Sequence, residues 1–435
     1  MKRHLSAISL ALAAMLTVSA CSAAPAASKA ATPAASGTEA AQPVTITFDQ
    51  FSGSGDNEQY LKKMIELYQA KNPNVTIKLQ SYGYQDYFTQ LTTKVAGGKA
   101  ADVFELNYEN FVSYAKKGAL MPLDDAIKAE NVDTSTYNQT ALKAFNADGK
   151  QYAVPNSFST VLLFYNKDLF DKAKVSYPTD SWKWADAMNA AQKIRALGKD
   201  IYGYYHPCTF NEFYKVAKQN GGSLISADGK SFTMDTPANA AALQYMVDMQ
   251  NKSNVMPTAS QVERAANADW DLFKSGRLGM IVTGCWAFPD FSKNSSFQWD
   301  VVVEPGNTQQ ATHFFSNGYV INKNSKVANE ALKFINFIAS NKEATQVRLD
   351  AGWELPPVND KSIISQYTAK TPPANRQAVF KSLDFLVTPP VISQYQQLQD
   401  IVGKHLDAAV AGTVTPAQAL KEMQAECQQK IDLTK

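Results

Sequence analysis

The sequence predicts an α/β protein of two lobes, and two observations carry that reading. Strand and helix patterns alternate from residue 44 onward. About 390 residues follow a non-globular leader, more than one core ordinarily organises. The alternation begins with Val44 to Phe48, a strand. Ser52 to Asn57 follows as a Gly- and Ser-rich loop ending in helix-capping residues. Leu61, Met64, Ile65 and Tyr68 then fall at i, i+3, i+4 and i+7, one face of a helix that Asn72-Pro73-Asn74 stops. Val75 to Leu79 is the second strand. Tyr84, Tyr87, Phe88, Leu91 and Val95 make a second helical stripe, which Gly97-Gly98 closes. Ala101 to Leu106 is the third strand. Strand–helix–strand–helix–strand implies parallel strands with right-handed crossovers.

Farther along, Tyr152 to Pro155 and the apolar run Val161 to Tyr165 read as strand, with a helix starting near Asp168. Ala238 to Met249 and Asp269 to Leu278 read as helices, Gly279 to Thr283 and Gly318 to Ile321 as short strands. Asn329 to Ser340 is strongly amphipathic, and the chain is helical from about Ser393 on. No internal repeat is visible. In open α/β sheets, ligands sit beyond the carboxyl ends of strands. Three polar segments occupy such ends, Ser52 to Asn57, Asn107 to Asn110 and Asn156 to Thr160, and together they predict a site along one edge.

The leader fixes a compartment. Met1-Lys2-Arg3-His4 precedes an apolar run from Leu5 to Val18, too short to span a membrane, which needs ~20 apolar residues. Residues 1–20 therefore read as a secretory signal peptide. Val18-Ser19-Ala20-Cys21 resembles the bacterial lipobox, in which Cys21 becomes the lipid-bearing first residue. Residues 21–43, rich in Ala, Ser, Pro and Thr, form a tether that cannot bury a core. The mature chain is expected on the cell surface, lipid-anchored to the outer face of the cytoplasmic membrane. Removing the leader takes Lys2 and Arg3 from the total of 42 Lys and Arg, which then matches the 40 Asp and Glu. A formally neutral chain argues against nucleic acid as a partner, because phosphate backbones select basic faces.

Enzyme signatures are scarce. His206, His313 and His405 remain after the leader, none in an HExxH arrangement, and neither a GxSxG elbow nor a GxxxxGK[ST] loop occurs. Cys208, Cys285 and Cys427 lack ligand spacing, so neither a metal nor another cofactor is expected. They read as three buried thiols, with a Cys208–Cys285 disulfide as the alternative outside the cytoplasm. Trp286 follows Gly284-Cys285, and Trp353 follows Gly352 and precedes Glu354. Tryptophans in loops beside glycine are candidate stacking surfaces for the C–H face of a sugar ring, with amide and carboxylate side chains meeting its hydroxyl rim. Trp182 and Trp184, at a helix start, read as core; Trp270 and Trp299 have no distinguishing context.

Several motifs recur in family order: Gly97 to Phe104 with Gly118-Ala119-Leu120, Tyr152 to Pro155 with Tyr165 to Leu169, Phe273 to Met280 with Gly284-Cys285-Trp286, and Gly318 to Ile321 with Ala331 to Ile335. In this ordered set the chain resembles the extracellular solute-binding proteins of bacterial ABC importers, specifically their carbohydrate-binding group. The resemblance implies a periplasmic-binding-protein-like fold, with an interlobe ligand cleft and a hinge near Asn156 to Thr160 plus crossings near 313 and 368. It assigns 44–156 plus 314–366 to lobe one and 160–312 plus 372–435 to lobe two. It implies a monomer that binds a mono- or oligosaccharide and delivers it to ABC permease subunits in the membrane, without catalysis. Carried over residue by residue, the ligand contacts fall on Ser54 in the first loop, Asn107, Tyr108 and Glu109 after the third strand, and Ser159 at an acidic hinge position of the relatives. Phe210 and Asn211 match an aromatic neighbourhood of lobe two, Trp286 the stacking tryptophan, and Gly318, Trp353 and Glu354 complete the set, with Tyr395 or Gln399 as a further stacking position. A surface glycosidase or lyase, or a receptor for a charged solute, are the rival readings.

Overall fold

β1 (Val44–Gln50), β2 (Val75–Ser81) and β3 (Val103–Asn107) pair in parallel, in the order β2-β1-β3. The crossover helices between them, Glu58–Lys71 and Tyr84–Ala96, are the two stripes read from the sequence; the first buries Leu61, Met64, Ile65 and Tyr68. The side-chain amide of Asn72 donates to the Tyr68 carbonyl at 2.9 Å and ends that helix. In this computed structural model the described residues are 42–53, 55–258, 268–390 and 392–433. The leader, Cys21, the tether up to residue 41 and Ser54 lie outside the described residues.

Beyond β3 the sheet changes character. β10 (Thr312–Ile321) pairs antiparallel with β3 on one side and with β6 (Ala153–Asn166) on the other. β6 then pairs with β8 (Leu278–Gly284) and β9 (Trp299–Val302), and β7 (Tyr202–Tyr205) lies parallel to β8. A two-residue β11 (Leu386–Val387) pairs with β10, and β4 (Asn146–Ala147) with β5 (Lys150–Gln151) forms a separate hairpin. The sheet is therefore mixed, and β6 and β10 join its parallel β2-β1-β3 part to its β8-β7 part. β6 leaves its β10 partner after Thr160 and takes up β8 from Val161.

This corrects one expectation. Asn156 to Thr160 is not a loop at a strand end; it is the interior of a 14-residue strand. Its polar residues broke the apolar run, yet the backbone of Ser157 to Thr160 pairs with β10, and Asn156, at the bulge, is buried among side-chain partners. Pro155 fits because it faces Gly318, where the register shifts at a bulge. The Gly318 to Ile321 strand is likewise the end of a ten-residue one.

Three groups of core side chains follow. One gathers Ile46, Phe48 and Leu61 with Phe334 and Ile335 under β1–β3. Another gathers Leu163, Met280 and Phe213 with Leu406 and Leu420 of the two C-terminal helices, Tyr395–Val410 and Pro416–Lys430. The third, rich in phenylalanine, spans both halves of the sheet and includes Phe104, Phe164 and Phe291. Cys208, Cys285 and Cys427 are free thiols, so the alternative disulfide does not form. Burial pushes each thiol up to about 12. No helix among the described residues is long and apolar enough to cross a membrane.

Candidate functional site

A cleft of about 1210 Å³ opens between the lobes. Phe51 and Ser52 line it from the loop after β1, Tyr84 from the first turn of the helix that follows β2, Asn107 from the end of β3, and Trp286 and Trp270 from segments around β8. Phe315 and Asn317 reach it from β10, between the lobes. The Trp286 indole meets Phe315 edge-on, centroids 5.2 Å apart at 85°. Phe315 in turn stacks on buried His313 at 3.4 Å and 11°. Burial lowers the His313 pKa, a shift only partly opposed by Glu109. Trp286 can lie there because residue 284 is glycine: a Cβ at that position would stand 1.8 to 2.1 Å from three atoms of the indole.

The rim is charged, and most of its charges are paired. Lys293 meets Asp56 at 3.1 Å, and Lys274 meets Asp290 at 2.9 Å. Arg376 has no ion pair, nor do Asp350 and Lys370 among the described residues; its guanidinium lies near the rings of Phe288 (4.8 Å) and Tyr367 (5.0 Å). The interior offers aromatic faces and side-chain amides, suited to a solute with apolar faces and hydroxyl edges.

Of the residues proposed from the sequence, Asn107, Asn211, Trp286, Trp353 and Glu354 line this cleft. Trp353 is only 3% exposed and its ring carries the Arg348 guanidinium at 3.9 Å, so it presents an edge rather than an open stacking face. Tyr108, Glu109, Ser159, Phe210 and Gly318 are buried and do not line it. Glu109 lies at the start of the Tyr108–Lys116 helix, Oε1 3.7 Å from His313 Nε2, with Oε2 unpartnered. Phe210 packs edge-on against Tyr395, centroids 5.7 Å apart. Gly318 is a packing glycine; a Cβ there would come within 2.9 Å of Ala153 and Phe145. Ser54 lies outside the described residues.

Phe51, Tyr84, Trp270, Phe315 and Asn317 were not singled out. The strand-end rule, extended to β2, would have reached Tyr84; its helical stripe instead suggested core, yet it is 51% exposed while Tyr87 is buried. Nothing local marks Trp270, whereas Trp299 stacks on Phe164 and Trp184 on Tyr245 as core residues do.

Behind Asn211 sits a buried ion cluster. His206, Glu212 and Glu304 bring three potential metal-ligand atoms within 4.8 Å of one another. The Lys215 ammonium, fully buried, lies 2.5 Å from Glu212 Oε2 and 2.7 Å from Glu304 Oε2 and supplies the positive charge a metal would bring. Burial by itself raises the Glu212 pKa, but Lys215 and the His206 hydrogen bond outweigh it and hold this carboxyl well below the ordinary range.

A sequence profile of the bacterial extracellular solute-binding proteins matches residues 53–345. The fold superposes with a TM-score of 0.86 on an ABC substrate-binding protein from Listeria monocytogenes solved with cycloalternan, 41% identical over 89% of this chain and 99% of that one. Maltose-bound MalE3 of T. maritima shares the fold at a TM-score of 0.78 and 21% identity, covering 89% of this chain and all of that one (100%). The arabinooligosaccharide-binding protein of Bacillus subtilis is 23% identical over 414 residues, 88% of this chain and 92% of its own length. With its two lobes and the cleft between them, the chain belongs to the bacterial extracellular solute-binding protein family, the non-enzymatic solute-binding components of ABC transporters.

Proposed function

We propose that this protein is the lipid-anchored receptor of an ABC importer, capturing an oligosaccharide between its lobes and handing it to a membrane permease. The observation that carries the reading is a cleft of about 1210 Å³ in which Trp286, Phe315, Trp270 and Tyr84 alternate with Asn107, Asn211 and Asn317. Its volume exceeds the roughly 300–1,000 Å³ of a pocket for one drug-sized ligand, which favours several sugar rings over one. The lobes are 44–156 with 314–366, and 160–312 with 372–435. Trp286 and Phe315 cover ring faces, the amides and Glu354 meet hydroxyls, and Tyr108, Glu109 and Phe210 back the wall. Ligand binding shifts the open–closed equilibrium toward closed, because contacts from both lobes exist together only there. The lipid on Cys21 holds the monomer near its permease and raises its effective concentration.

Cycloalternan, the ligand of the Listeria relative, is the first compound to test. Calorimetric titration with cycloalternan, maltotriose, arabino-oligosaccharides and glucose should give saturable binding of an oligosaccharide, weaker binding of glucose and no product. Trp286→Ala should weaken that binding roughly 5- to 150-fold, since loss of one stacking aromatic costs on the order of 1–3 kcal/mol. Saccharide turnover, or no saccharide binding at all, would sink the reading. Arg376, with no carboxylate within ion-pair distance among the described residues, favours a second reading in which the solute carries an acidic group; a uronic-acid oligosaccharide in the same titration separates the two. Cys21→Ser should move the protein from the membrane fraction to the medium.

A further inference from the structure

The part of the cleft lining that carries Trp353 and Glu354 is tied to β6 by a chain of buried polar contacts. Glu105 on β3 is fully buried and accepts from the backbone N–H of Phe51 and of Ser52, both at 3.0 Å, and from Ser52 Oγ at 2.5 Å. It also accepts from Asn156 Nδ2 at 2.6 Å. On its other side Asn156 Oδ1 accepts from Arg348 Nη2 at 3.3 Å. Arg348 lies 3.9 Å over the Trp353 ring, and its Nη1 stands 4.0 Å from Glu354 Oε2. Gly53 also abuts Trp353; a Cβ there would stand 3.0 Å from the indole. Two stretches of cleft lining, 51–52 and 353–354, are thus fastened to one side chain of the strand that passes between the lobes.

We propose that Arg348 and Asn156 are positioning residues for the ligand surface: they contact no ligand, and they set the Trp353–Glu354 turn and the Ser52 loop at a fixed angle to the crossing strand. This rests on the reading of the cleft as a saccharide site. The chemistry explains the residue types. A planar guanidinium stacks on an indole while its fork reaches an amide and a carboxylate; a lysine ammonium does one of these at a time. The Arg348 charge also opposes the burial that raises the Glu354 pKa, and so helps keep that carboxylate an acceptor for hydroxyls. Asn156 carries a donor and an acceptor on one group, so it joins Glu105 to Arg348 without adding a charge to the strand interior.

A merely structural strut would lower stability and leave the affinity of the folded protein alone. The test is a double-mutant cycle in the full-length chain, with oligosaccharide affinity and melting temperature as separate readouts. Arg348→Met and Asn156→Ala should each weaken binding roughly 2- to 30-fold, the range for residues coupled to a site they do not touch. Arg348→Lys should not rescue. Combined with Glu354→Gln, Arg348→Met should add less than about twofold, because it acts through that turn. Wild-type affinity in a folded Arg348→Met protein, or losses that multiply fully with Glu354→Gln, overturn the proposal. If Arg348→Met does not fold, Asn156→Ala is judged by the same two criteria. If the wild type binds no saccharide, the site reading has failed and the proposal falls with it; saccharide binding by the wild type with unchanged affinity in both folded variants overturns the proposal alone.

Discussion

Lys215 is a buried cation held between two carboxylates. Its ammonium is fully buried between Glu212 and Glu304, and a methionine of similar length would leave two carboxylates facing each other without a cation. Lys215→Met should therefore cost about 3–5 kcal/mol, measured by urea unfolding. The same cluster sets a pH dependence. Glu212 has its pKa lowered in the folded state, so its contribution to stability is present above the ordinary carboxylate range and is lost as pH falls through the depressed value. Burial raises the Glu105 and Glu354 pKa values, so these two act with the opposite sign. The melting temperature of the wild type should drop in acid more steeply than that of Glu212→Gln, and equal slopes would remove Glu212 as the cause. None of this was visible in the sequence, where His206, Glu212, Lys215 and Glu304 show no metal-ligand spacing and Glu304 stands apart from the rest.

Among the elements, the strand β8 and the turn after it deliver the main aromatic. The Gly284-Cys285-Trp286 motif was legible because glycine beside tryptophan at a strand end is a local signal, and the structure adds why the glycine is needed. Gly284→Ala should displace the indole from Phe315, weaken oligosaccharide binding about tenfold and reduce the ligand-induced change in tryptophan fluorescence. An unchanged fluorescence response in that variant would mean that Trp286 reports on nothing in the cleft. β6 teaches the reverse lesson. Read locally, Asn156 to Thr160 is a polar break; in the fold it is a paired strand whose polar side chains meet residues far away in the chain. Asn156 and Arg348 are 192 positions apart, so no window along the sequence contains both.

At the level of the whole molecule, two strands connect lobes that bury separate aliphatic cores, and closing them should change shape more than secondary structure. Small-angle scattering should give a smaller radius of gyration with saturating oligosaccharide, while far-ultraviolet circular dichroism stays the same. Ligand at 100 times its dissociation constant should stabilise the protein by about 2.7 kcal/mol, read as a rise in melting temperature. A saccharide that raises the melting temperature without compaction would mean binding outside the cleft.

The sequence by itself determined the class of the fold, the order of its first strands and helices, the buried face of its first helix and the family. These rest on periodicity and on ordered short motifs, which are local properties of the chain. Tertiary structure alone decided that the sheet is mixed, that Tyr84, Trp270 and Phe315 face the cleft while Trp353 is backed by Arg348, and that a lysine stands where a metal could. Each of those outcomes depends on which distant side chains meet, and burial and pairing then decide what a residue can do.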